Sequence, residues 1–185
     1  MTIVFLSGSR KIGRLNEEIR LRIDNMIKKR LGLVIGDANG ADKAMQAYLA
    51  ESDYRDVTVY FVGDAPRNNI GRWSEKHVLA DESLSGRDYY AQKDKHMSTL
   101  ADFGFILWNG QSAGSVQNML WLLSDKKKVV VYLSPKGRFY NVKTQDELIE
   151  MLLMCDEETL DDLGKKVALP DRLQGANRRQ TSLSL

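Results

Sequence analysis

Short apolar segments alternate with longer amphipathic segments along this chain, and the alternation limits the folds that the chain can adopt. Five runs rich in Val, Ile, Leu and Phe have the length and composition of strands buried on both faces. Segments with apolar residues at helical spacing separate them. This order predicts an α/β fold, a Rossmann-like parallel sheet of about five strands in the order 3-2-1-4-5 with helices on both faces. The predicted strands are residues 3–7, 33–35, 57–62, 103–108 and 129–133.

Capping residues mark the starts of two predicted helices. Asn16 is followed by Glu17 and Glu18, which is typical of a helix N-terminus, and Thr144 has the same position before a segment at 145–154. Apolar spacing predicts the remaining helices. They are expected at about 41–52, at 88–101, around 116–123 and before Pro170.

The composition fits one globular domain, which we assign to residues 1–170. The chain has 185 residues, of which 43% are hydrophobic, enough to bury a core. The final segment, 171–185, is polar, and we expect it to be flexible. Lys and Arg (27) nearly balance Asp and Glu (25), so the net charge of +2 gives no case for nucleic acid or an anionic membrane as partner.

The cysteine and histidine content indicates a reducing compartment and no metal or other cofactor. Cys155 is the single cysteine, which excludes an internal disulfide framework and a cysteine-based zinc site, and there are two histidines. The first residues are apolar but lack the basic flank and cleavage site of a signal peptide. No apolar run approaches the roughly 20 residues of a membrane span. We therefore expect a cytoplasmic protein.

Three small, glycine-containing turns follow predicted strands one, two and four. They are Ser7-Gly8-Ser9-Arg10, residues 36–42 and residues 109–115. Each alone is typical of ordinary turns and caps. In an open parallel sheet, however, ligands bind outside the carboxyl ends of the strands, where helix N-termini offer unpaired N–H groups. Because these three strands are neighbours in the predicted order, the turns predict one crevice for a phosphate or another anion.

Two better-known phosphate motifs are absent. Gly8 and Gly13 have the spacing of the P-loop glycines, but Arg14 and Leu15 replace the required Lys and Ser or Thr. No G-x-G-x-x-G follows the first strand, so the dinucleotide fingerprint is missing too. The crevice is therefore not predicted to work as a nucleoside triphosphatase or as a conventional dinucleotide site.

Two segments allow alternative interpretations. Lys93 lies on the apolar stripe of the helix at 88–101, with Tyr90, Met97, Leu100 and Ala101, so its ammonium either reaches outward to solvent or points into a cleft. The aperiodic segment 63–86 is either a functional loop or contains a short helix.

Side chains in the loop 63–86 also allow two interpretations, whereas the tryptophans and histidines have one expected role each. Arg67 and Asn68 either grip a base or phosphate or belong to a solvated loop. We expect Trp73 to plug the edge of the core, and Trp108 and Trp121 to be packing residues. His77 and His96 are expected at the surface.

The three turns, together with Lys93-Asp94-Lys95-His96-Met97, resemble motifs of the SLOG superfamily over roughly residues 2–135. That superfamily includes the Lonely Guy phosphoribohydrolases, which activate cytokinins, and the Smf/DNA-processing proteins. Residues 7–10 resemble its G-S-R strand end, residues 36–42 its G-x-x-x-G-A-D turn and residues 109–115 its G-G-x-G-T turn. The resemblance implies a Rossmannoid fold, a nucleotide-derived ligand with its phosphate at residues 110–115, and a homodimer.

The resemblance has two departures that bear on activity. In the phosphoribohydrolases the last motif continues to a glutamate that serves cleavage of the N-glycosidic bond, and Asn118 stands in that place here. Nucleoside deoxyribosyltransferases need a similar glutamate. An asparagine can bind a ribose but cannot take a proton or provide a full negative charge. Lys93 replaces an arginine of the family, which puts bidentate phosphate binding there in question.

We therefore rank three hypotheses. First is a nucleotide-binding protein that senses or sequesters its ligand. Second is an N-glycosidic hydrolase or transferase using Asp37, Asp42 or Asp94, with Asp42 and Asp94 as the catalytic candidates. Third is a non-catalytic assembly module. The predicted ligand-binding residues are Gly8, Ser9, Arg10, Gly36, Asp37, Gly40, Asp42, Arg67, Asn68, Lys93, Asn109, Gly110, Ser112, Gly114, Ser115 and Asn118.

Overall fold

The computed structural model describes residues 1–81, 83–170 and 173. The polar segment 171–185, predicted to be flexible, lies outside the described residues except for Leu173. The strands are β1 (Ile3–Gly8), β2 (Gly32–Gly36), β3 (Val57–Phe61), β4 (Ser74–His77), β5 (Phe103–Trp108), β6 (Lys128–Leu133) and β7 (Arg138–Val142). The helices are α1 (Glu17–Lys28), α2 (Ala41–Glu51), α3 (Gly86–Leu100), α4 (Ala113–Ser124), α5 (Gln145–Leu152) and α6 (Glu157–Lys166), with a 3-10 turn at Ser134–Lys136.

The strands form one sheet in the order β4-β3-β2-β1-β5-β6-β7. Strands β1, β2, β3, β5 and β6 are the five predicted ones, and their order confirms the predicted 3-2-1-4-5. They run parallel, with Val4 opposite Leu33 on one side and Phe5 opposite Gly104 on the other. The α/β, Rossmann-like prediction is therefore confirmed.

Two edge strands were not predicted, so the estimate of five strands is too low. β4 lies in the segment 63–86 and pairs in parallel with β3, and all four of its residues are exposed. Of the two interpretations of that segment, the short helix is wrong for the described residues, which form no helix before α3 begins at Gly86. β7 runs antiparallel to β6 after a turn in which Gly137 adopts φ +61°. Both strands are edges, so neither needs the apolar run of a buried strand.

Alternate residues of β1 point into two separate cores. Val4 and Leu6 pack with α1 and α2 on one face. Phe5 packs on the other face with α3, α4, α5 and α6. Helices on both faces are therefore confirmed, and the ends of the strands are left uncovered between them.

The two predicted helix caps are confirmed, but one residue of the predicted apolar stripe of α3 is exposed. Asn16 caps α1 by accepting a hydrogen bond from the Ile19 amide (2.9 Å), and Thr144 caps α5. Leu100, predicted on the apolar stripe of α3, is 44% exposed because α3 ends there. No helix in residues 1–81, 83–170 and 173 is long and apolar enough to cross a membrane.

Candidate functional site

The three predicted turns meet at the carboxyl ends of β1, β2 and β5, and Ser9 joins them. The Ser9 amide donates to the Leu107 carbonyl (2.8 Å), and its hydroxyl accepts from the Asn109 amide (3.1 Å). The Ser9 carbonyl accepts from the Ala41 amide at the start of α2 (3.2 Å). The first turn is thus bonded to both of the others.

This convergence requires glycine at Gly8. A Cβ atom at Gly8 would lie 2.6 Å from both the Cβ of Ala41 and the carbonyl oxygen of Leu107, which is closer than real Cβ atoms approach other atoms. Gly40 adopts φ +86°, a conformation that favours glycine, and its α carbon faces the backbone of Arg10. The glycines therefore bring the strand ends together.

A cavity of about 690 Å³ opens above these turns, between α3, α4 and α6. Its volume is in the range of small-molecule sites. Of the residues predicted from sequence, twelve line it. They are Gly8, Ser9, Arg10, Asp42, Arg67, Lys93, Asp94, Asn109, Ser112, Gly114, Ser115 and Asn118.

The other predicted ligand residues do not line the cavity and instead lie in the layer beneath it. They are Gly36, Asp37, Gly40, Asn68 and Gly110. A Cβ at Gly36 would meet the Asp42 carboxylate and the Lys93 ammonium, so Gly36 makes room for that pair. Asn68 donates to the Asp37 carbonyl (2.8 Å), and Gly110 packs against Pro135.

The turn that begins α4 is held in shape by its own side chains. Ser112 caps the helix, its hydroxyl accepting from the Ser115 amide (3.3 Å), and the Asn109 side chain accepts from the Ser112 amide (2.9 Å). The Trp108 indole N–H donates to the Ser112 carbonyl (3.2 Å). Gly114 lies in the first turn of the helix, where an added Cβ would find no atom nearer than the Ser112 hydroxyl at 4.0 Å. The turn is therefore fixed by its own hydrogen bonds, and the helix N-terminus carries no side chain at Gly114, where it lines the cavity.

Three hydroxyl groups cluster at the same helix N-terminus. The Ser115 hydroxyl lies 3.3 Å from that of Ser9 and 3.1 Å from that of Ser112. Hydroxyls, first-turn amides and the positive end of the helix dipole all favour anionic oxygens. Arg10 and Lys11 add cations to the same wall.

Lys93 points into the cleft, which decides between its two interpretations. Its side chain is 3% exposed, and its ammonium lies 2.6 Å from the Asp94 carboxylate and 3.9 Å from that of Asp37. Burial lowers the pKa of Lys93, but Asp94, Asp42 and Asp37 outweigh burial and raise the pKa above its usual value. Lys93 is therefore a fixed cation.

Asp37 is a fixed anion beneath the cavity. Arg67 donates to it from Nε (2.9 Å), from a terminal nitrogen (2.6 Å) and from its backbone amide (3.0 Å). Burial acts to raise the pKa of Asp37, but the bonds from Arg67 and the charge of Lys93 lower it overall. The Arg67 guanidinium also lies over the Tyr90 ring, 4.4 Å from its centroid. Arg67 thus belongs to the cavity wall and is fixed there by Asp37.

Asp42 is the exception among the carboxylates of the site. It is 6% exposed; Oδ2 accepts one long bond from the Ala38 amide (3.4 Å), and Oδ1 has no partner among the described residues. Burial raises the pKa of Asp42 to about 7, against the opposing effect of Lys93. Asp42 is therefore able to exchange a proton near neutral pH.

Asp42→Asn is expected to remove a loss of stability that the wild-type protein shows as pH rises. The folded state holds this proton more tightly than the unfolded chain, so stability falls as pH rises through the interval from the ordinary pKa of 3.8 to about 7. Between pH 5 and pH 8 the loss amounts to about 3 kcal/mol. Urea unfolding at the two pH values measures it. The exposed Asp64→Asn is the control and should follow the wild type; equal pH dependence of Asp42→Asn and wild type would exclude the assignment.

Asn118 lies in the middle of the cavity wall. Its side-chain amide donates to the Ser7 hydroxyl (2.8 Å) and, at 3.5 Å, to the Asp94 carboxylate. This places a polar side chain and the partly exposed Asp94 next to each other, between the α4 N-terminus and the far end of the cavity. The pair is suited to hydrogen bonding with hydroxyl groups.

Sequence reasoning missed the part of the cavity that comes from α3, α4 and α6. The missed lining residues on these helices include Arg87, Asp88, Gln117, Trp121, Asp162 and Lys166. Ser7 and Lys11, at the first turn, were not among the predicted ligand residues either. Trp121, predicted to be a packing residue, is half-buried and lines the cavity, whereas Trp73 and Trp108 are buried as predicted. Gln117 and Trp121 follow Gly114 by three and seven residues, a helical spacing that could have pointed to them.

A second cavity, of about 390 Å³, lies at the opposite end of β5 and β6. It is lined by Lys126, Lys127, Lys128 and Lys143, which we call the lysine groove. Its Lys127 ammonium already donates to the carbonyls of Ser98 (2.7 Å) and Thr99 (2.6 Å) at the end of α3. Because the lysine groove lies away from the three turns, which meet at the first cavity, we favour the first cavity as the functional site.

Comparison with protein-family models, with curated proteins and with solved structures gave no match. The candidate site therefore rests on its own geometry. Among the described residues, no group of three or more His, Cys, Asp or Glu side chains is arranged to hold a metal ion.

Proposed function

We propose that this protein binds a nucleotide or a nucleotide-derived ligand and acts as its sensor or sequestering protein. The observation that carries the proposal is the N-terminus of α4 at Gly114, which opens onto the large cavity, while the buried Ser9 and Ser115 hydroxyls lie behind it and hold the turn in place. The resemblance of the three turns to the SLOG superfamily supports the same proposal.

The charge distribution favours a phosphate at this end of the cavity. Arg10 and Lys11 follow β1, and the Lys11 ammonium bonds to the Gln111 side chain (3.3 Å) at the edge of the α4 turn. Helix amides and dipole attract an anion, and the cations add charge-assisted contacts. The carboxylates Asp42 and Asp94 lie further along the cavity wall, beside Lys93, where a sugar would follow the phosphate.

The polar groups favour binding over turnover. Asp37 is held by Arg67, Asp94 is paired with Lys93, and the position of the family's catalytic glutamate holds Asn118. A site with fixed charges and a preformed turn is well suited to hold a ligand without changing it.

Asp42 favours a second candidate function, hydrolysis or transfer at an N-glycosidic bond. Its unpartnered Oδ1 and its raised pKa suit proton transfer to a departing base. Protonated Asp42 would give its proton to the base nitrogen as the bond to the anomeric carbon breaks, with Asp94 near the positive charge that develops; water would then add to the anomeric carbon, and the proton that it loses would return to Asp42. Incubation with nucleoside monophosphates or NAD should then release free base, and Asp42→Asn and Asp94→Asn should each abolish the release. Unchanged rates in both variants would exclude the assignment to Asp42 and Asp94, and absence of release by the wild-type protein would rule out this function.

Calorimetry with matched ligands tests the main proposal. A nucleoside 5′-monophosphate is expected to bind at least about tenfold more tightly than the same nucleoside, a difference of about 1.4 kcal/mol, because the nucleoside cannot use the α4 N-terminus. The adenine, guanine, cytosine and uracil pairs should be tested. Absence of binding by all of them at millimolar concentration would contradict the proposal.

A further inference from the structure

Trp121 differs from the other two tryptophans in its surroundings. Trp73 is buried and its indole N–H donates to the Tyr54 carbonyl (2.7 Å), and Trp108 is fully buried with its indole N–H on the Ser112 carbonyl. Trp121 is half-buried and forms part of the cavity wall. Packing accounts for the first two indoles, whereas the third presents surface to the cavity.

The position of Trp121 on α4 sets its distance from the anion site. Gly114, Gln117 and Trp121 have the spacing of one helix face, and all three line the cavity. Seven residues of α-helix put Trp121 about 10 Å along the axis from Gly114. Asn118 lies between them. A ligand with its phosphate at Gly114 and its sugar near Asn118 would bring its base to Trp121.

The charged residues that α3 and α6 contribute to the lining of the cavity pair with one another. Arg87 pairs with Asp88 of α3 (3.5 Å), and Lys166 pairs with Asp162 of α6 (2.5 Å). Arg87 also donates to the Lys166 carbonyl, which joins the two helices beside the cavity. A compartment with two cations and two anions that pair with each other is suited to an uncharged planar group rather than to a second phosphate.

We infer that Trp121 is the stacking surface for the aromatic base of the ligand. The inference rests on the proposed function, since it places the base relative to a phosphate at the start of α4. Stacking on an aromatic side chain accepts any base, because every base has a π face. The paired side chains of α3 and α6 line the same cavity and would offer donors and acceptors to the base edge. Trp121 therefore determines that the ligand is a nucleotide rather than a simple sugar phosphate.

Tryptophan fluorescence and calorimetry with adenosine 5′-monophosphate and ribose 5-phosphate test this inference. Adenosine monophosphate should quench the wild-type emission, since the other two indoles are buried, and ribose 5-phosphate should bind without quenching. Trp121→Ala should weaken adenosine monophosphate binding about 10- to 100-fold and leave ribose 5-phosphate binding unchanged, which also shows that the variant is folded. Trp121→Phe should keep most of the affinity, since it retains an aromatic face, and lose the quenching.

Two results would overturn the inference, and they differ in what else they exclude. If Trp121→Ala weakens both ligands equally, or neither, the base does not stack on Trp121, although phosphate binding stands. If neither compound binds the wild-type protein in calorimetry, and the guanine, cytosine and uracil monophosphates do not bind either, the proposed function fails and the inference fails with it.

Discussion

Gly114→Asp is expected to abolish nucleotide binding and to leave the fold stable. The new carboxylate would lie in the first turn of α4, where a negative charge stabilises the helix and where the structure has open space. The same charge would face the proposed phosphate. Two like charges about 4 Å apart repel by about 4 kcal/mol at an effective dielectric constant of 20. We therefore expect calorimetry to show an affinity for nucleoside monophosphates at least about 100-fold lower.

Gly114→Asn is the matched control for this variant. Asparagine has the size of aspartate without its charge, so it separates repulsion from simple filling of the space. We expect it to lose much less affinity than Gly114→Asp, and both variants to unfold thermally at or above the wild-type temperature. Equal binding by wild type and Gly114→Asp would show that no anion sits at the α4 N-terminus.

Lys93→Met is expected to destabilise the protein by about 3–5 kcal/mol, the usual cost of leaving a buried charge without its partner. Lys93 is 3% exposed and neutralises Asp37, Asp42 and Asp94, which would repel one another without it. The destabilisation should be smaller at pH 5 than at pH 8. The Lys93 charge acts to lower the pKa of both Asp37 and Asp42, so without it the pKa values of these two carboxyls rise, and protonation at the lower pH then removes part of the repulsion.

Lys95→Met provides the control for the Lys93 variant. Lys95 is on the same helix and exposed, so its replacement should change the free energy of unfolding by less than about 0.5 kcal/mol. Urea unfolding of both variants at pH 5 and pH 8 makes the comparison. Similar, small effects of the two substitutions would mean that the buried ion cluster does not stabilise the fold.

The central part of the fold could be predicted from the sequence because its signals are local. A run such as Phe103–Trp108 is apolar throughout since both faces of β5 are covered, and that pattern is visible without any partner. Edge strand β4, Ser74–His77, is polar and short, and its pairing with β3 depends on the sheet that precedes it. Its sequence therefore contains no strand signal of its own.

The candidate site also has one part that could be predicted from the sequence and another that could not. The turns at Gly8, Gly40 and Gly114 were predictable, because glycine and serine after an apolar strand have a local meaning and the strand order brings the strand ends together. Arg87 and Lys166 come to the cavity only through the packing of α3, α4 and α6. The missing hydrogen-bond partner of Asp42 depends on the whole surrounding structure and has no sequence pattern.

Backbone amide chemical shifts offer the most direct test of an anion site at the ends of β1, β2 and β5. Nitrogen-15-labelled protein is titrated with adenosine 5′-monophosphate, with adenosine and with inorganic phosphate. We predict that the phosphate-bearing compounds shift the amides of Ala113, Gly114 and Ser115, and that adenosine leaves them nearly unchanged. Shifts confined to the lysine groove, with the α4 amides unmoved, would contradict the account.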